Sequence, residues 1–349
     1  MDMDKLNALL GKMVVELGAC YAGAGVIIGD KLGLYKALGS GGAMTSAQLA
    51  QQTGTAERYI REWLSTQAAS GYIEFDKVAK TFHLTPEQVM VFADVNSPAL
   101  LTGGFYMLQS IYQDVPAMTE AFKTGKGQGW GDHCNCLFCG VAKFFGPGYR
   151  TNLVSNWLPT LVGVTDKLKA GGKVADVGCG HGISTVTMAQ AFPTSRFVGF
   201  DYHAPSIDSA RELAKESNVT NVTFEVATAK GYPGRDYDFV TTFDCLHDMG
   251  DPVGASAHVR ESLKQGGSWM IVEPLAGNEL ADNLNPVGRI YYAASTMVCV
   301  PTSLSQEVGL ALGAQAGEAK LREVVTAGGF KALRRVTETP FNIVLEATL

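Results

Sequence analysis

The amino-acid sequence predicts an α/β protein in which an α-rich N-terminal module precedes a doubly wound parallel sheet. Three observations carry this. From Lys173 onward the apolar runs KVADVG, RFVGFD, VTFEVA, YDFVTTFD and SWMIVEP recur, with helical segments between the first of them, as strands covered on both faces by crossover helices do. The first run leads into ADVGCGHG, Ala175 to Gly182, and then into the helical GISTVTMAQAF, a strand, a tight turn and a helix in succession. Residues from Thr45 to Pro86, by contrast, read as short helix, turn, longer helix and hairpin.

A chain of 349 residues, 46% hydrophobic and 18% charged, has material for a sizeable core and is long enough for two domains. The net charge of -6 leaves no basic surplus for phosphate backbones or anionic lipid. The start MDMDKLNALL lacks a basic leader, and GACYAGAGVIIG is glycine-rich and short for a bilayer span. A cytoplasmic protein with no membrane segment is expected. Seven cysteines, an odd number scattered along the chain, do not resemble a disulfide framework, so reduced thiols are expected.

In chain order, TSAQLAQQTG offers Thr45 or Ser46 as a cap, apolar Leu49 and Ala50, and a stop at Gly54. AERYIREWLSTQAASG places Tyr59, Ile60, Leu64 and Ala68 at helical spacing and ends at Gly71, and YIEFDKVAKTFHLTP reads as two β-runs about Asp76 and Lys77. That is a winged-helix pattern. Its second helix carries Glu57, Arg58, Arg61 and Glu62, two charges of each sign, so packing or dimerisation is expected of it rather than DNA binding. Residues from about 96 to 158 show helical periodicity with glycine breaks, and the tail KALRRVTETPFNIVLEATL offers two more β-runs that would add a hairpin to the sheet.

The glycine turn lets backbone approach a ligand at the carboxyl end of the sheet, beside a helix N-terminus. Its spacing is G-x-G-x-G, at Gly178, Gly180 and Gly182, rather than the dinucleotide G-x-G-x-x-G, and the acidic Asp176 precedes it. An acid there opposes pyrophosphate and suits a cation. The second strand ends in Asp201, where a carboxylate can accept from both ribose hydroxyls. A nucleoside with a positively charged, phosphate-free substituent is S-adenosylmethionine. His181, between two of the glycines, reads as a bystander.

VADVGCGHG resembles motif I of the class I methyltransferases, and LKQGGSWMIVEP resembles the entry to one of their later strands. FDCLHDMGDP, the stretch from GRIYYAAS through SLSQEVG to GAQAGEAKLREV, and TPFNIVLEA together resemble the mycobacterial-type winged-helix methyltransferases, over nearly the whole chain. The resemblance implies a class I methyltransferase Rossmann-like sheet preceded by an α-rich winged-helix dimerisation domain. Expected boundaries are 1–95 for the winged-helix domain, 96–158 for a helical bridge and 159–349 for the catalytic domain, with a substrate-lid insertion at 275–317. It also implies S-adenosylmethionine as co-substrate, a homodimer and a small-molecule acceptor. Asp176, Gly178 and Gly180 would face the methionine end, Asp201 the ribose, and Tyr202, Thr228 and Ala229 the adenine, with Phe243 and Asp244 completing the cofactor set. Thr228 stands where many class I enzymes place an acid.

FDCLHDMGD is similar to the motif of winged-helix small-molecule O-methyltransferases whose histidine removes the acceptor proton, so His247 is the candidate base, oriented by Asp248 or Glu273. His133, Cys134, Cys136 and Cys139 are soft ligands that could take zinc or trivalent arsenic, but no distant ligand pair appears and no metal is expected. Tyr106, Tyr112, Phe138, Phe144, Phe145, Tyr149, Tyr291 and Tyr292 could wall an apolar acceptor site. The acceptor atom, whether oxygen, nitrogen or sulfur, stays open. Two rival readings are a ligand-responsive winged-helix DNA-binding regulator and a nicotinamide-dependent oxidoreductase, the latter disfavoured by the glycine spacing.

Overall fold

The computed structural model describes Met1–Leu349. The chain divides into two compact units, 1–109 with 139–147, and 110–138 with 148–349.

The first unit opens with α1 (Met3–Lys31), capped by the Asp2 carboxylate, then α2 (Leu34–Gly41), α3 (Ser46–Thr53) and α4 (Glu57–Ala69). Helix α3 starts in a reciprocal capping box between Thr45 and Gln48 and stops at Gly54, whose φ of 65° few side-chain-bearing residues adopt. The hairpin β1 (Glu74–Asp76) and β2 (Thr81–His83) pairs Phe75 with Phe82, and α5 (Pro86–Phe92) follows behind a second capping box at Thr85. Leu34, Tyr35, Leu38, Leu49, Ile60 and Leu64 form its core. On α4 the charges close on themselves, Arg61 on Glu57 at 2.6 Å and Arg58 on Glu62 at 2.5 Å, leaving no free cationic row.

The length of α1 corrects the reading of GACYAGAGVIIG as a short apolar stretch. That segment is the second half of a 29-residue helix that, by length and composition, could cross a membrane. Its last turns are held by the core: the Trp63 indole N–H donates to the Gly25 carbonyl at 2.8 Å, and a Cβ on Gly29 would stand 2.5 Å from the Trp63 ring. Its first turns present Leu9, Leu10, Met13, Val14, Val15, Leu17 and Tyr21 to the surroundings.

Helix α6 (Thr102–Thr124) and helix α7 (Asn135–Asn152) come next, then α8 (Val164–Ala170) and the sheet. Its strands are β3 (Lys173–Val177), β4 (Arg196–Asp201), β5 (Val222–Val226), β6 (Tyr237–Phe243), β7 (Leu263–Pro274), β8 (Ala332–Glu338) and β9 (Asn342–Thr348). They lie in the order β5-β4-β3-β6-β7-β9-β8, parallel from β5 to β7, with β9 antiparallel to both its neighbours. The expected doubly wound sheet and its closing hairpin are therefore present. Helices α9 (Ile183–Ala191), α10 (Ala204–Glu216), α11 (Pro252–Ser262) and α14 (Gly317–Ala327) accompany the strands, while α12 (Pro286–Ala294) and α13 (Val300–Leu304) belong to the insertion after β7. Val177, Phe200, Trp269, Ile271, Phe330 and Leu345 lie in the main core. Strand order reverses beside β3, and ligands of such sheets bind at the carboxyl ends where that happens.

The expectation of reduced thiols holds for Cys20, Cys139, Cys179, Cys245 and Cys299 but not for the remaining pair: Cys134 and Cys136 are joined in a disulfide. Two cysteines at i and i+2 across a helix start, with Cα atoms 5.3 Å apart, are within bridging reach.

Candidate active site

The glycine loop leaves β3 with φ of +74° at Gly178, +52° at Gly180 and +75° at Gly182. The glycines serve different ends. A Cβ on Gly178 would stand 2.6 Å from the Cys245 sulfur and one on Gly182 2.7 Å from the Phe224 ring, whereas Gly180 faces open space. The Asp201 carboxylate, at the end of β4, reaches across the loop, one oxygen accepting the Gly180 N–H at 2.9 Å and the other the His203 N–H at 2.8 Å. Burial raises its pKa against those two bonds, so the charged form gains from further donors. Tyr202 stays about half exposed, Thr228 is exposed and Ala229 half-buried where the chain leaves β5. Burial, and then His203, push the His181 imidazole below its ordinary value.

Asp176 lies behind the loop. It is 0% exposed, and its two oxygens take the hydroxyls of Ser184 (2.7 Å), Thr185 (2.6 Å) and Thr241 (2.9 Å). The carboxylate thus ties the first turn of α9 to β3 and β6, supporting the loop rather than facing its opening.

At the end of β6 Phe243 is buried against Tyr149, and Asp244 adopts a φ of 48°, unusual for a residue bearing a side chain. Tyr149 donates to Asp244 at 2.5 Å and Asn342 at 2.8 Å. Burial and the neighbouring Glu273 lift Asp244 to about 7, with Tyr149 and Asn342 pulling the other way. Asp248 reaches about 7 as well, through burial and through Glu273 and Asp201, partly offset by His247. Asp176, Asp201, Asp244, Asp248 and Glu273 gather five carboxyl groups at this end of the sheet, and their mutual repulsion is what a nearby cation would relieve.

His247 stands in a short turn, Leu246–Asp248, only 4% exposed, and its Nδ1 donates to Glu273 Oε2 at 2.6 Å. Glu273, at 1% exposure near the end of β7, also accepts the Leu246 N–H at 2.9 Å, which fixes the carboxylate on both sides. The far nitrogen, Nε2, meets the Cys299 sulfur at 3.3 Å. Of the two expected orienters the structure brings Glu273 to the ring; Asp248 is a charge neighbour. Burial opposes the imidazolium, but Glu273 and Cys299 outweigh it and hold the ring well above its ordinary value. An imidazole titrating near its usual value, the basis of the sequence argument, is therefore corrected: the environment stores a proton on this pair.

The insertion after β7 is stitched to that turn. Gln306 accepts the Gly250 N–H at 3.0 Å and donates to the Asp248 carbonyl at 3.1 Å, and the Gly313 N–H donates to the His247 carbonyl at 3.2 Å. A cavity of about 410 Å³ lies under the insertion, walled by Phe122, Tyr292, Val300, Pro301, Leu312 and Gln315 among others, and the glycine loop does not contribute to it. Asn342, Cys299 and Gln306 meet the candidate site without having been assigned to it from the sequence, and Tyr149, expected among the walls of an acceptor site, bonds Asp244. Only the SLSQEVG signature hinted at Gln306. His133, Cys134, Cys136 and Cys139 are not gathered on one point: His133 bonds Asp114, Cys134 and Cys136 pair with each other, and Cys139 is exposed.

A seven-stranded sheet in this order, with a glycine turn after β3 and an acid ending the adjacent β4, is the class I methyltransferase fold. A family described as a methyltransferase domain matches residues 168–328, and one described as an Rv2258c-like winged HTH domain matches 22–93. The chain thus has the domain composition and fold of a class I methyltransferase with an N-terminal winged-helix domain. Among curated proteins it is 32% identical over 152 residues to a ubiquinone biosynthesis O-methyltransferase of Leptothrix cholodnii, covering 42% of this chain and 61% of the other. It is 34% identical over 93 residues to the 2-heptyl-1-hydroxyquinolin-4(1H)-one methyltransferase of Mycobacteroides abscessus, covering 26% and 40%. The chain spans less than two thirds of the length of these relatives. Solved structures resemble it over almost its full length: an O-methyltransferase family protein from Burkholderia thailandensis (TM-score 0.68, 17% identity, 99% and 98% coverage) and human N-acetylserotonin methyltransferase in complex with SAM (0.69, 15%, 98% and 97%).

Proposed function

We propose that this protein transfers the methyl group of S-adenosylmethionine to a small-molecule acceptor, with His247 taking the acceptor proton. The observation that carries the reading is the pairing of an open glycine loop, held by Asp201, with a buried His247–Glu273 dyad on the same sheet edge. Gly178 and Gly180 let the methionine end approach, Asp201 accepts from the ribose hydroxyls, and Tyr202, Thr228, Ala229, Phe243 and Asp244 surround the nucleoside. Asp176 acts through the loop it supports.

Methyl transfer is an in-line displacement at sulfur's positive charge, so positioning supplies much of the rate. The dyad adds a charge argument. Before transfer the sulfonium opposes a second cation on His247 and frees Nε2 to accept a proton. After transfer the thioether is neutral, and the imidazolium that has formed is stabilised by Glu273. One positive charge passes from sulfur to imidazole, and the surrounding carboxylates need not reorganise.

Calorimetry with S-adenosylhomocysteine tests the reading: binding is expected, and no binding at millimolar ligand by folded protein would sink it. Asp201→Ala should weaken that binding by about 1.5 to 3 kcal/mol, because two ribose hydroxyls lose a charged acceptor. The rival, a DNA-binding regulator, is supported by the winged-helix domain and opposed by the self-paired charges of α4; it requires salt-dependent affinity for duplex DNA.

The apolar row Leu9, Leu10, Met13, Val14, Val15, Leu17 and Tyr21 on α1 supports a homodimer in which a second copy covers this face. Val14→Glu with Leu10→Glu should turn a dimer into a monomer in light scattering while the fold persists. An unchanged mass would refute the assignment, and sedimentation of the wild type with lipid vesicles would assign the helix to a membrane.

A further inference from the structure

Of the seven cysteines only Cys134 and Cys136 are bridged, and the other five are free thiols. A bridge across one intervening residue removes little entropy from the unfolded chain, so general stapling accounts poorly for it. Its place in the fold is more telling. Cys134 is the N-cap of α7, in extended backbone, and makes none of the side-chain hydrogen bonds by which a cap usually holds a helix start. Cys136 lies two residues on, in the first turn, so the disulfide ties cap to helix in place of a side-chain cap. Both cysteines are half-buried, within reach of a small thiol.

The segment that this clasp closes packs against residues at the end of β4. Gln128 anchors it by donating its N–H to the Pro301 carbonyl at 3.0 Å, and His133 does so through Nδ1, 2.7 Å from Asp114 Oδ2. Its inner side covers Tyr202 and His203. The Trp130 backbone bonds the Tyr202 phenol, and a Cβ on Gly131 would stand 3.5 Å from the His203 ring. Phe138, in the first turn of α7, packs on that ring with centroids 4.4 Å apart and on Trp130 at 5.3 Å. His203 in turn donates its N–H to Asp201 at 2.8 Å, the carboxylate that also accepts the Gly180 N–H. Contacts thus run without a break from the disulfide to the glycine loop.

We propose that the Cys134–Cys136 bridge is a redox modification site, reduced by a dithiol, which clasps the 128–138 segment over Tyr202 and His203 when closed and releases it when open. A thiolate of the dithiol attacks one sulfur of the bridge and expels the other as a cysteine thiolate, which the N-terminus of α7 stabilises. The second sulfur of the dithiol then resolves the mixed disulfide. Two electrons and two protons pass to the protein, and the dithiol leaves as a cyclic disulfide. Opening the clasp weakens the hold on the nucleoside of S-adenosylmethionine. That consequence rests on the methyltransferase reading, whereas release of the segment does not.

The test compares the oxidised full chain with the same chain treated with dithiothreitol, free thiols being located by alkylation and mass spectrometry. Reduction should speed hydrogen exchange of the backbone amides of 130–138 and 202–204. Because the closed loop is short, it should weaken S-adenosylhomocysteine binding in calorimetry by only about three- to tenfold. Cys134→Ser with Cys136→Ser should behave as the reduced form without dithiothreitol and show no further response to it, which excludes the five free cysteines as the source. Equal exchange or equal affinity of the two wild-type forms overturns the proposal even if the variant does not fold, and so does a variant that still responds. Failure of both forms to bind S-adenosylhomocysteine overturns the methyltransferase reading instead, and hydrogen exchange alone then decides the clasp.

Discussion

His247→Ala should lower kcat by roughly 10²- to 10⁴-fold with an acceptor that loses a proton on methylation, while S-adenosylhomocysteine affinity stays near wild type. The pH dependence sharpens the expectation. Because Glu273 and Cys299 hold the imidazole above its ordinary value against burial, the neutral, proton-accepting form grows as pH rises through that raised value. The wild-type rate should therefore climb with pH from the acid side. Glu273→Gln removes the largest of the charges that favour the imidazolium, so burial then dominates and the acid limb should move to lower pH. The maximal rate should fall as well, because the imidazolium formed after transfer has lost its counter-charge. A limb that moves to higher pH, or does not move, would contradict the dyad as the proton acceptor. With a thioether acceptor no proton is released, and the His247 variant should lose only what positioning contributes.

Gly180→Val is expected to abolish S-adenosylhomocysteine binding altogether, measured by calorimetry on protein whose circular dichroism matches wild type. Two effects act together. A φ of +52° lies where a β-branched residue is strained, and a Cβ would enter space that is open in the structure and that the proposed cofactor site requires. The loop's support is expected to survive, since Asp176 keeps its three hydroxyl partners. Wild-type affinity in this variant would place the cofactor elsewhere.

What could be read from the chain follows the range of the interactions concerned. The strands of the sheet, the capped helix α3 and the glycine turn are written in patterns a few residues long, where alternation, capping boxes and positive φ act locally. The strand-end position of Asp201 and the HDM turn come from the same short-range grammar. Helix α1 escaped because its glycines look like breaks: Gly25 and Gly29 are explained by side chains from elsewhere in the core, Gln67 against Gly25 and the Trp63 and Tyr35 rings against Gly29.

The partners of the acids are another matter. Asp244 is held by Tyr149 and Asn342, which are 95 and 98 residues away in sequence. The ring of His247 meets Glu273 at a separation of 26 residues and Cys299 at 52. No periodicity encodes such meetings, since they exist only once the sheet has brought β6, β7 and the insertion to one edge. The same holds for charge. Asp176 reads from the sequence as an acid awaiting a cation, yet in the fold it is fully buried and accepts from the hydroxyls of Ser184, Thr185 and Thr241. By itself the sequence determined the order of elements and the glycine loop, and it supplied the candidate residues of the site, because backbone preference is set by near neighbours. Tertiary structure alone decided which of these residues are buried, which are exposed and which partners each of them meets, because desolvation and Coulomb energy depend on the distances that only the folded chain defines.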